Sequence, residues 1–275
     1  MAVKSAEVSV SGTLQKEKQN YDNLKGCNSL IQCFGEEITT DRNGQMIYNL
    51  LLEFAPGGTL AQHIKNTGGK GLPENEVRSY TKSIIKGLIH MHKSQYIHCD
   101  LKPANILLVP RNTKKGRQFV AKIADLGLAR RTSKTKANYY LGGTLSYMAP
   151  ETLIDSVQES PSDIWALGCL VFEILTGNRP WGATDEAGIV EQMTENHHGM
   201  PKIPEGVSVE ASMFLKNCFV RKPKYRFTAE MLMTLPFMTA AKDQKQDLDF
   251  VTTPTFVTKR PRQIKRQRII PIKAM

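Results

Sequence analysis

Between His98 and Asn105 the sequence places a carboxylate at Asp100, an ammonium at Lys102 and a carboxamide at Asn105, and a second carboxylate follows at Asp125 in Asp125-Leu126-Gly127. Side chains of these types offer a proton acceptor, a positive charge and hard oxygen ligands. A disulfide framework and structural zinc do not fit. The five cysteines, Cys27, Cys33, Cys99, Cys169 and Cys218, are scattered with no Cys-x-x-Cys pair. The histidine pairs His90/His92 and His197/His198 have no cysteine partner at ligand spacing.

Such residues need elements to hold them. The opening MAVKSAEV reads as a strand and residues 13–24 as a short helix. Residues 30–38 and 46–54 read as two strands joined around Asn43-Gly44. Pro56-Gly57-Gly58 ends the second strand, and the next hundred-odd residues are expected to be largely helical. Leu72-Pro73 opens a helix whose first turn carries Glu74 and Glu76 at the positive end of the dipole. Val77, Tyr80, Ile84, Leu88 and Met91 then recur at three- and four-residue steps, one stripe for burial. Residues 162–176 are apolar nearly all round, which predicts a helix surrounded by protein. A small β-rich part against a large helical part makes the expected class α+β.

With 275 residues, 40% hydrophobic and 23% charged, the chain can bury a core and is not a disordered sequence. No apolar run approaches the roughly 18 residues of a membrane span. MAVKSAEVS carries Lys4 and Glu7 where an export signal needs an apolar stretch, so an intracellular protein, cytoplasmic or nuclear, is expected. Of the net charge of +11, seven positive charges lie between Val251 and Met275 with no acidic residue, leaving +4 for everything before. The body is therefore no nucleic-acid platform. The tail reads as a solvated terminus, or, in KRPRQIKRQR at 259–268, as a nuclear import signal or a docking site for an acidic surface.

The order and spacing of His98-Cys99-Asp100-Leu101-Lys102-Pro103-Ala104-Asn105, Asp125-Leu126-Gly127 and Ala149-Pro150-Glu151 resemble the protein kinase family, with its catalytic loop, metal-binding D-x-G and terminal A-P-E. The likeness covers residues 1–238. It implies a two-lobed α+β fold: a partial small lobe over 1–54, a mainly helical lobe over 55–238 and a basic tail over 239–275. It implies a serine/threonine kinase that uses ATP and Mg2+. On that resemblance Asp100 orients or accepts the proton of the substrate hydroxyl, and Lys102 sits beside the transferring phosphate. Asn105 and Asp125 hold Mg2+, and Thr144 hydrogen-bonds the catalytic loop. Lys4 resembles the strand lysine that contacts the α- and β-phosphates, with Glu17 as its partner. Glu53 and Ala55 fall in the hinge that offers backbone groups to adenine, and Ala2 and Leu107 supply apolar faces above and below the ring. Asp163 resembles the buried aspartate that anchors the catalytic loop, and Arg226 the arginine that pairs with Glu151.

Departures from the family pattern carry their own expectations. Cys99 stands where many kinases have an arginine that meets an activation-segment phosphate, which predicts weak dependence on phosphorylation of Thr132, Ser133, Thr135 or Tyr139. Leu126 replaces a phenylalanine and is expected to fill the same gap. Two strands and a glycine-rich loop that precede the Lys4 strand in the family lie outside this sequence, and Gly68-Gly69-Lys70-Gly71 reads as a linker. Two or three missing backbone bonds to phosphate would remove roughly 3–9 kcal/mol. That compares with the roughly 4–8 kcal/mol that holds a typical substrate. An incomplete gene model or splice form is expected on this ground, with residues 1–8 as an exposed sheet edge. The His-Cys-Asp loop, LLEFAPGGTL and DIWALGC look most like plant mitogen-activated protein kinase kinase kinases, which implies a downstream protein kinase as substrate. The alternative is a catalytically impaired kinase-like binding module. Nucleic-acid binding through the tail is the weakest reading.

Overall fold

The computed structural model describes residues 1–113, 116–132, 142–182, 185–194 and 199–239. Ser133, Thr135, Tyr139, His197, His198 and the basic run 259–268 lie outside the described residues.

Strand β1 (Ala2–Glu7) leads into helix α1 (Gly12–Asn23), followed by β2 (Cys33–Thr40) and β3 (Met46–Leu52). The antiparallel sheet runs β1-β3-β2, with Lys4 opposite Leu50. The β2–β3 turn forms where Asn43-Gly44 places it: Asp41 Oδ1 accepts from the Asn43 and Gln45 amides, both at 2.8 Å, and Gly44 takes a φ of 80°. Helix α1 turns Leu14, Glu17, Asn20 and Tyr21 inward at i, i+3, i+6 and i+7. Two of those four are polar, so this helix is held by bonds as well as by apolar contact.

Next come α2 (Leu60–Lys65), α3 (Glu74–Lys93), β4 (Tyr96–Ile97), β5 (Ile106–Thr113), β6 (Gly116–Ile123) and β7 (Arg130–Arg131). The expectation of a largely helical stretch after Phe54 is corrected here. Between Ser94 and Ala149 the described residues form short strands, 3-10 turns and loops, with no α-helix. The aliphatic run Ile106-Leu107-Leu108-Val109 pairs with Val120-Ala121-Lys122-Ile123 as a hairpin. Cys99 and Asp125 also adopt φ of 70° and 58°, a conformation no right-handed helix contains.

The remainder is helical: α4 (Pro150–Ile154), α5 (Ser160–Thr176), α6 (Glu186–Thr194), α7 (Val209–Cys218), α8 (Ala229–Met233) and α9 (Pro236–Thr239). The predicted stripe on α3 is buried throughout, each aliphatic member contributing roughly 1.5–3 kcal/mol. Helix α5 is the central element. Its Trp165 is fully buried, 5.2 Å from the Phe219 ring and 6.4 Å from Trp181. It ends where Gly177 takes the left-handed conformation at φ 74° and its amide bonds the Glu173 carbonyl at 2.8 Å. The glycine cluster before α3 packs against this end: a Cβ on Gly71 would stand 2.1 Å from the Leu175 carbonyl oxygen. Its glycines permit a close backbone approach.

Candidate active site

The His98–Asn105 loop is set by one buried carboxylate. Asp163, on the first turn of α5, accepts from the His98 amide at 2.9 Å, the Cys99 amide at 3.1 Å and His92 Nε2 at 2.9 Å. Burial alone would raise this carboxyl, but the bonds from His92 and the loop backbone outweigh it and hold Asp163 below its ordinary value. His98, itself fully buried, has Nε2 3.1 Å from the Ala124 carbonyl, so the loop is fastened to the residue before Asp125. Burial pushes the Cys99 thiol up to about 12. Cys99 is therefore a neutral packing residue with no nucleophilic role.

Above this frame Asp100 is the hub. Thr144 Oγ1 donates to Asp100 Oδ1 at 2.8 Å, and Lys102 Nζ lies 2.8 Å from Asp100 Oδ2 and 2.7 Å from Thr144 Oγ1. Asn105 Nδ2 donates to Asp100 Oδ2 at 3.0 Å and to the Asp100 carbonyl at 2.8 Å. The Asn105 amide nitrogen is thus committed to the loop, which leaves its carbonyl oxygen as the group able to meet a cation.

Lys4 reaches the same region from β1. Its Nζ is 2.7 Å from Glu17 Oε2 and 3.1 Å from Asp125 Oδ1, 121 residues on. Half-burial opposes the Lys4 charge, but Glu17 and then Asp125 outweigh it, and the ammonium stays above its ordinary pKa. Glu17 is only 2% exposed, and burial raises its carboxyl in spite of the Lys4 bond. Leu126 is fully buried, filling its gap as expected.

Two adjoining cavities of ≈ 210 Å3 and ≈ 240 Å3 share Lys4, Glu17 and Asp125 in their walls. The first has apolar walls from Ala2, Leu52 and Leu107, with Asn105 and Asp125 toward its polar end; the second reaches Asp100. An apolar slot leading to an ammonium, a carboxamide and two carboxylates suits a planar base joined to a metal-bound polyphosphate. Glu53 lines the first cavity, whereas Ala55 lies outside both, its carbonyl accepting from the Gly58 amide at 3.0 Å. No residue of Gly68–Gly71 lines either.

The supporting pair Glu151–Arg226 forms as expected, at 2.6 and 3.0 Å and fully buried, with the Arg226 guanidinium 5.1 Å from the Trp165 ring centre. Other contacts were not legible in the sequence. Asn20 donates to the Leu126 and Ala129 carbonyls, both at 2.8 Å, clasping α1 to the segment that carries Asp125. Gln158 Nε2 bridges the Cys99 and Gly142 carbonyls at 3.2 and 3.0 Å. Lys122 Nζ grips both Glu53 oxygens at 2.8 and 2.9 Å. Buried polar residues on otherwise amphipathic elements were the only available signal, and their partners lie up to 109 residues away.

Known proteins resemble this chain over most of its length. Residues 1–238 match the protein kinase domain family. Mitogen-activated protein kinase kinase kinase 20 of Arabidopsis thaliana is 39% identical over 257 residues, covering 91% of this chain and 73% of the relative. Mitogen-activated protein kinase kinase kinase 17 of the same plant is 34% identical over 271 residues, covering 97% and 69%. With the loop, the lysine–glutamate pair and the paired carboxylates converging on one cleft, this chain belongs to the protein kinase family.

Proposed function

We propose that this chain is a serine/threonine protein kinase that transfers the γ-phosphoryl group of ATP to a protein hydroxyl in a mitogen-activated protein kinase cascade. The observation that carries the reading is the closed array Lys102–Thr144–Asp100–Asn105 facing the Lys4–Glu17–Asp125 array across one cleft. The names of the relatives support a protein substrate, a downstream kinase of that cascade.

Phosphoryl transfer asks for position and charge neutralisation more than for covalent work by the protein. Asp100, oriented by Thr144 and Asn105, accepts the proton of the incoming hydroxyl. Lys102 holds positive charge beside the transferred oxygens. Lys4, fixed by Glu17, fastens the phosphates still attached to the nucleoside. The Asn105 carbonyl oxygen and the Asp125 carboxylate would hold Mg2+, which would supply positive charge to neutralise the phosphates. Ala2 and Leu107 enclose the base, and the Glu53 backbone meets its edge. The small lobe is assigned to residues 1–54 and the large lobe to 55–238, and the basic run 259–268 supports nuclear entry.

Asp100→Asn tests the reading. Phosphorylation of a generic basic protein should fall by about 10²–10⁴, while Mg-ATP at about 100 times Kd still stabilises the variant by roughly 2.7 kcal/mol. Undiminished transfer would refute the mechanism. Failure of Mg-ATP to stabilise the wild-type chain would favour the binding module instead.

A further inference from the structure

A second, larger cavity of ≈ 760 Å3 lies between α3, the turn Gly26–Ser29 and the β5–β6 hairpin. Its charged lining is one-sided. Lys86, Lys93, Arg111 and Lys122 contribute positive charge, and Glu53 is the one acidic residue among the lining side chains. Glu53 is already held by Lys122. Lys86, Lys93 and Arg111 form no ion pair among the described residues. Elsewhere cations do find acids: half-buried Lys18 and exposed Lys25 both meet Asp22, and half-buried Arg78 meets Glu74.

The sequence shows that this asymmetry extends along both walls. No aspartate or glutamate occurs from Val77 to Cys99, which include the part of α3 that lines the groove, or from Ile106 to Ile123, which supply the hairpin. In a body whose net charge up to Phe250 is only +4, two acid-free walls facing one groove concentrate the field there. Between the cations the floor is aliphatic, with Ile89, Val109 and Val120.

We propose that this groove is a docking site for an acidic peptide segment of a protein partner, one that sets carboxylates on the Lys86–Lys93–Arg111 rim and aliphatic side chains on the floor. Charge complementarity selects the sign of the partner. The floor selects a peptide over a nucleic acid, because no Phe, Tyr or Trp lines the groove for a base to stack on. Glu53 lines both this groove and the apolar cavity beside Lys4, so an occupant here lies next to the hinge without entering the cleft.

The test uses the full chain and a fluorescein-labelled peptide alternating Glu with Val, read by anisotropy. Saturable binding that weakens with salt is expected, together with no binding of the matching Lys–Val peptide. K86E/K93E/R111E should lower affinity by roughly tenfold or more while phosphorylation of a generic basic protein is unchanged. K86Q/K93Q, a milder change on exposed positions, should show the same direction should the triple variant fold poorly. Binding that survives both variants and disappears on reversing Arg260, Arg262, Lys265 and Arg266 would assign the peptide to the tail and overturn the proposal. So would a single-stranded oligonucleotide that binds more tightly than the peptide and is lost in K86E/K93E/R111E. Because the readout is binding, it stands or falls separately from the kinase reading.

Discussion

Thr144 Oγ1 donates to Asp100 Oδ1 at 2.8 Å although 44 residues separate them, and the same oxygen accepts from Lys102 at 2.7 Å. One hydroxyl therefore fixes the rotamers of both the Asp100 carboxylate and the Lys102 ammonium. Thr144→Val keeps the shape and removes the bonds. Steady-state kinetics should show kcat reduced about 10–100-fold with the KM for ATP nearly unchanged, since misplacement by about 1 Å costs rate on that order. Thr144→Ser should restore most of the loss. Activity lost in the Ser variant and kept in the Val variant would mean the methyl group matters and the hydroxyl does not.

Lys4 and Glu17 are unequal partners, 46% and 2% exposed. Lys4→Met leaves a buried carboxylate without its cation, and should cost on the order of 1–3 kcal/mol in a denaturant melt at neutral pH. That is less than the about 3–5 kcal/mol typical of a fully buried pair, because Lys4 is half in solvent. Adding Glu17→Gln to that background should recover much of the stability without recovering nucleotide affinity. A double-mutant cycle with no coupling would contradict the pairing.

Asp163 should make the His98–Asn105 loop acid-sensitive. Its native pKa lies below the unfolded value of about 4, so the folded chain holds fewer protons in that range. The stabilisation is therefore present above about pH 4 and is lost as pH falls through and below it. Asp163→Asn should cost on the order of 3 kcal/mol at pH 7. Its melting temperature should also depend less steeply on pH than that of the wild type between about 3 and 5. Parallel pH curves for the two proteins would show that acid lability originates elsewhere.

Gly71→Ala probes whether the glycine cluster serves the fold or the nucleotide. At φ 71°, with the new Cβ 2.1 Å from the Leu175 carbonyl, it should cost about 1–3 kcal/mol and lower Tm by several degrees. The KM for ATP should stay as it was. Gly69→Ala, with φ 83° but open space around it, should be milder. A raised KM with unchanged Tm would reverse the assignment.

The sequence by itself determined the chemistry-bearing residues and the regular elements. Asp100, Lys102, Asn105 and Asp125 stand in short motifs whose internal spacing is a local property. The α3 stripe and the apolar α5 are legible because helical periodicity repeats within a few turns. Local pattern failed between Ser94 and Ala149, where short aliphatic runs suit a buried helix as well as a strand, and where left-handed conformations at Cys99 and Asp125 are imposed by long-range bonds. Tertiary structure alone decided that Asn20 clasps Leu126, that Gln158 bridges Cys99 to Gly142 and that Lys122 closes on Glu53. It also turned the acid-free C-terminal part of α3 and the acid-free hairpin toward a common groove. Each of these joins residues that share no periodicity and no neighbourhood in the chain, so the information lies in how the core closes around them.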